Sequence, residues 1–118
     1  MKVIFSHGKE SGPWGSKIRR LADAAATLGF EVESLDYTGS EDPDERVAIL
    51  EKRLADETAP VILAGSSMGG YVSAVVAGRR PVSGLFLLAA VHFNTGLAYA
   101  LAFMTHAEGS KDRWKETP

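Results

Sequence analysis

Val61-Ile62-Leu63-Ala64-Gly65-Ser66-Ser67-Met68-Gly69-Gly70 sets a short apolar run directly against a turn of glycines and serines, and from Met68 the pattern becomes helical through Ala77. A brief apolar run of this kind, with no polar alternation, reads as a strand covered on both faces, as in a parallel sheet. Within the turn, Gly65-Ser66-Ser67-Met68-Gly69 fits Gly-x-Ser-x-Gly. In that pattern the central serine sits on a sharp, strained strand-to-helix bend, and a side chain at either flanking glycine would strike neighbouring backbone. Ser67 is therefore a candidate nucleophile. The start of the helix also places free amides and the positive end of the helix dipole beside it, and the Met68 amide is the natural first donor to an oxyanion. The same residues also fit a plain capped connection, with Ser66 or Ser67 bonding the first helical amides.

Upstream, Lys2-Val3-Ile4-Phe5-Ser6 is another apolar run, ending at His7-Gly8, and predicts a buried parallel strand. After a loop containing Gly8, Gly12, Pro13 and Gly15, the residues Ile18, Leu21, Ala25 and Leu28 recur at the spacing of one helix face, with Gly29 as a left-handed stop. Residues 30–37 alternate and lead into Thr38-Gly39, a strand with a turn behind it. Asp42-Pro43-Asp44-Glu45 supplies a cap, a first-turn proline and a glutamate at the third position, predicting a helix to about Glu57 with Val47, Leu50 and Leu54 buried. Downstream, Arg79-Arg80-Pro81 ends the helix begun at Met68, and residues 84–90 form a fourth strand. Residues 96–106 fit a short helix and 108–118 a polar tail. Strands and helices alternating at crossover length predict one three-layer α/β/α domain over residues 1–107, built on a parallel sheet of about four strands. Ligands of such sheets gather at the carboxyl ends of the strands, which selects the loops that begin at His7 and Ser66.

Composition narrows the partners. The 118 residues carry 13 Lys plus Arg against 15 Asp plus Glu, a net charge of −2, with no basic stretch to track a phosphate backbone. Nucleic acid is not expected as a partner. Without cysteine there is no disulfide framework, thiolate site or cysteine nucleophile, and the first residues lack a signal-peptide pattern, so a cytoplasmic location is expected. Residues 82–104 are apolar enough in length to cross a bilayer, but His92, Asn94, Thr95 and Gly96 interrupt them, and no membrane span is expected. His7, His92 and His106 have no ligand spacing, so no metal is expected. Neither phosphate-loop pattern is met, and no cofactor is called for.

The two glycine-rich loops together carry a resemblance. Ser6-His7-Gly8-Lys9-Glu10-Ser11-Gly12 after the first strand, paired with the bend at Ser67, resembles the α/β-hydrolases, in particular short bacterial members of that superfamily, from Met1 to about Ala90. The resemblance implies strand order 2-1-3-4, Ser67 as nucleophile, Met68 with Lys9 or Gly8 as oxyanion donors, Gly65 and Gly69 as the glycines of the bend, and an ester or related acyl substrate without cofactor. His7 reads as a histidine that fixes the loop, and Trp14 and Tyr71 as core or rim aromatics.

The family delivers its triad in the order serine, acid, histidine, and the sequence departs from it. No Asp or Glu stands between Ser67 and His106, and no histidine follows Glu108, Asp112 or Glu116. His92 and His106 are the later imidazoles and the base candidates. The expectation is a C-terminus that is truncated, frameshifted or divergent after about residue 90, and weak turnover, since loss of triad members leaves roughly 10³ to 10⁴ over water. The fourth strand would then lie at a sheet edge, where residues 85–90 invite pairing with a second copy. The competing expectations are a noncatalytic hydrolase-like fragment acting by binding or association, and a flavodoxin-like ligand-binding domain.

Overall fold

A computed structural model describes the backbone of residues 1–93 and 96–105, with side chains described through residue 88. The elements run β1 (Lys2–Ser6), α1 (Ser16–Thr27), β2 (Glu31–Leu35), α2 (Pro43–Leu54), β3 (Val61–Ser66), α3 (Met68–Arg79), β4 (Gly84–Phe93) and β5 (Gly96–Thr105). β1 pairs in parallel with β2 and β3, and β3 with β4, so the parallel strands lie in the expected order 2-1-3-4.

The alternation of side chains along the strands sorts the core into two layers. Ile4, Leu63 and Leu85 point to one face and meet Val47, Leu50 and Leu54 of α2 and Val72 and Val76 of α3. Val3, Phe5 and Ala64 point to the other, against Ile18 and Ala22 of α1. Each fully buried Val, Leu, Ile or Phe among them contributes about 1.5–3 kcal/mol. Helix starts and stops follow local chemistry: the Asp42 carboxylate accepts from the Asp44 amide at 3.0 Å, with Pro43 at the first helical position, and Gly29 turns the chain at φ 93°.

Four expectations are corrected. α2 ends at Leu54 rather than near Glu57. Leu28, expected on the buried face of α1, is its C-cap and is exposed, beside an apolar groove lined by Phe5, Leu21, Phe30, Ile62 and Phe86. Residues 96–105 form a strand, not a helix: β5 runs antiparallel to β4 from Phe93↔Gly96 to Gly84↔Thr105. Leu97, Tyr99, Leu101 and Phe103 alternate with alanines, a period of two that suits pairing better than a 3.6-residue stripe. The edge of residues 85–90, expected to be open to a second copy, is thus occupied by β5. The apolar stretch 82–104 is spent mostly on this hairpin, and no helix of the described residues is long and apolar enough to cross a membrane. His106 and the expected tail over 108–118 lie outside the described residues.

Candidate active site

The bend between β3 and α3 has the strained form its sequence predicts. Ser67 lies at φ 54°, ψ −121° and is the one non-glycine residue with positive φ among those described. A conformation of this kind costs on the order of 1–3 kcal/mol and persists when the surroundings over-determine it. Here they do. A side chain at Gly65 would run into the Gly69 carbonyl and come within 2.6 Å of the Gly70 nitrogen, and one at Gly69 would run into the Ser6 carbonyl of β1. The Ser67 amide donates to Leu88 O of β4 at 3.0 Å, and the Ser67 carbonyl accepts from the Gly70 amide at 2.8 Å. Those bonds lock the backbone and leave Ser67 exposed. Met68 and Gly69 open α3, and amides of a first helical turn have no acceptor within their own helix.

The loop after β1 converges on the same point. A Cβ built on Gly8 would stand 3.2 Å from Ser67 Cβ and 3.6 Å from Ser66 O, so the loop passes close against Ser67 and a side chain there would press on it. Gly8, Lys9, Ser11, Lys17, Ser66 and Ser67 all line one open cleft of ≈ 410 Å³ at the carboxyl ends of β1 and β3. Of the two amides proposed as second oxyanion donor, that of Gly8 is spent on Ser11 Oγ at 3.1 Å. Lys9 is the remaining one.

Below this loop lies a buried polar network. His7 is fully buried; its Nε2 accepts from the Tyr37 amide at 2.9 Å, which fixes the proton on Nδ1, 2.7 Å from the Gly8 carbonyl that accepts it. Both ring nitrogens are engaged, so His7 holds the loop. Ser6 Oγ and the Tyr37 hydroxyl share a bond of 2.8 Å, and burial pushes the Tyr37 phenol up to about 12. Arg46 of α2, 1% exposed, donates to the carbonyls of His7 (2.8 Å) and Ser40 (2.7 Å), with Gly8 O at 3.4 Å, and its guanidinium lies 5.2 Å from the centre of the Tyr37 ring. Burial lowers the pKa of this arginine. Sequence reasoning missed Arg46, although it falls on the stripe of Leu50 and Leu54 at intervals of four, a position normally apolar.

Of the base candidates, His92 sits in β4 opposite Leu97, four residues past Leu88, the partner of Ser66; His106 lies outside the described residues. Trp14 and Tyr71 are half-exposed, as rim aromatics would be. Among the described residues no group of three His, Cys, Asp or Glu is placed to hold a metal ion.

A strained serine between strand and helix, on the central strands of a 2-1-3-4 sheet, agrees with the sequence profile of the alpha/beta hydrolase family, which matches residues 3–117. The chain belongs to the alpha/beta hydrolase family. Among solved structures, this hydrolase-family chain is similar to a protein of the alpha/beta superfamily from Xanthomonas campestris pv. campestris, at 35% identity and TM-score 0.68 over 79% of its residues. It spans 61% of that protein's length. It also shares its fold with a pyrethroid hydrolase from Sphingobium faniae JZ-2, at 22% identity and TM-score 0.58, covering 72% of this chain and 38% of that one. No curated protein matches it.

Proposed function

We propose that the chain is a serine hydrolase acting on carboxylic esters or a related acyl substrate, with Ser67 as nucleophile. The observation that carries this reading is the strained, exposed Ser67 held against Gly8 in the cleft. The Ser67 hydroxyl attacks the acyl carbonyl, the carbonyl oxygen becomes an oxyanion, and the amides of Met68 and Lys9 stabilise it. Preorganised donors of this kind need no reorganisation as charge develops, and each is worth about 10²–10³ in rate. A base must take the serine proton. His7 is unsuited to that role, since both its nitrogens are bonded within the loop. No Asp or Glu stands between Ser67 and His106 to orient a base in the family's order, so turnover by this chain is expected to be weak, roughly 10³–10⁴ over the uncatalysed reaction. A cytoplasmic location belongs to the same reading.

The lack of any Asp or Glu between Ser67 and His106 favours a second reading, a noncatalytic hydrolase-family chain that retains the bend as scaffold. A fluorophosphonate probe separates the two. Stoichiometric labelling that disappears in Ser67→Ala supports an activated serine; no labelling of the native chain supports the scaffold.

A further inference from the structure

Arg46 is a buried cation bonded to backbone carbonyls rather than to a carboxylate. Its guanidinium meets His7 O, Gly8 O and Ser40 O, and the acid nearest in effect, Glu41, acts only through its field. Removing a charge from water for the sake of carbonyl contacts is unfavourable unless those contacts fix something. What they fix is the loop after β1. The Gly8 carbonyl accepts from the His7 ring at 2.7 Å and has Arg46 Nη1 at 3.4 Å, while the His7 carbonyl accepts from the same nitrogen at 2.8 Å. In a planar trans peptide the amide points opposite to the carbonyl. A Gly8 carbonyl turned inward to His7 and Arg46 therefore turns the Lys9 amide outward, toward the cleft that Lys9 shares with Ser67.

We propose that Arg46 is a positioning residue, which with the His7 ring clamps the Gly8–Lys9 peptide so that the Lys9 amide is presented to an oxyanion formed at Ser67. The inference rests on the serine-hydrolase reading for its chemical meaning, but the orientation of the amide can be read without any reaction. Arg46→Met keeps most of the packing volume and removes every donor. Its fluorophosphonate labelling rate at Ser67 is expected to fall about 10- to 100-fold, the scale of a displaced oxyanion donor. The Lys9 amide resonance in a ¹H–¹⁵N spectrum should shift or broaden. Arg46→Lys, which retains the charge and part of the reach, should recover part of the rate; it carries the test if Arg46→Met does not fold. A purely structural arginine would lower the unfolding temperature yet leave both the labelling rate of the folded protein and the Lys9 resonance as in the wild type, and that result overturns the proposal. Should the wild type fail to label at Ser67, the serine-hydrolase reading falls, and the Lys9 resonance alone decides: moved by Arg46→Met, the clamp stands; unmoved, it is refuted.

Discussion

Ser67 keeps a backbone conformation that a free chain would abandon, and the glycines around it show what holds it there. Gly69 lies against the Ser6 carbonyl with no room for a methyl group. Gly69→Ala should therefore destabilise the chain by about 3 kcal/mol or more, the upper range for overpacking, because the obstacle is backbone rather than a side chain that can swing away. Urea unfolding checks this. Tyr37 gives a pH-dependent counterpart. Its phenol is pushed up to about 12 by burial, so between the ordinary value near 10 and that point the folded state holds a proton that the unfolded state has lost. Stability supplied by the neutral buried phenol is complete below about pH 10 and declines as pH rises toward 12, by on the order of 2–3 kcal/mol. Tyr37→Phe should make that alkaline decline shallower, while costing about 1–2 kcal/mol at neutral pH by leaving Ser6 Oγ without its partner. A wild-type stability that stays level from pH 10 to 12 would contradict this.

At the scale of elements, chemistry that acts through near neighbours was readable, and chemistry that acts across the fold was not. The cap at Asp42, the stop at Gly29 and the strand–bend–helix of residues 61–77 rest on contacts within a few residues, and each stands where the pattern put it. β5 escaped notice because alanine and leucine favour helices, and an all-apolar run hides its period. Only the regular alternation of large residues with alanine from Leu97 to Phe103 betrays it. Arg46 was missed because its partners, His7 and Gly8, come from a loop nearly forty residues earlier. A second long-range cluster ties β1, β2 and the end of α2: Arg53 bonds Glu33 at 2.7 Å and Glu57 at 2.9 Å, and Lys2 stands 3.2 Å from Glu57. Hydrogen bonds from Arg53 hold the Glu33 carboxyl low and bring Glu57 down to about 2. Depressed carboxyl values contribute stability that is present above the unfolded value near 4.3 and is lost as pH falls toward 2. The urea midpoint should drop across that window, and Arg53→Met should reduce the drop. A variant with an acid limb identical to the wild type would show that the cluster adds nothing.

For the molecule as a whole, the sheet order is what makes a site. Placing β1 next to β3 brings two loops separated by some sixty residues of sequence to the same carboxyl edge, and the crossover helices α1, α2 and α3 cover the two faces so that this edge is where a ligand can enter. The polar network beneath it, from Ser6 and Tyr37 through His7 to Arg46, fixes the first loop, while Gly65, Gly69 and the bond to Leu88 fix the second. In the proposed serine-hydrolase reading these two rigid loops frame one oxyanion position beside Ser67. The direct test is a crystal structure of the chain after reaction with a fluorophosphonate. Phosphorus is expected bonded to Ser67 Oγ, with a phosphonyl oxygen about 2.7–3.1 Å from both the Met68 and the Lys9 nitrogen. An adduct on another residue, no adduct at all, or a phosphonyl oxygen turned away from both amides would contradict that reading.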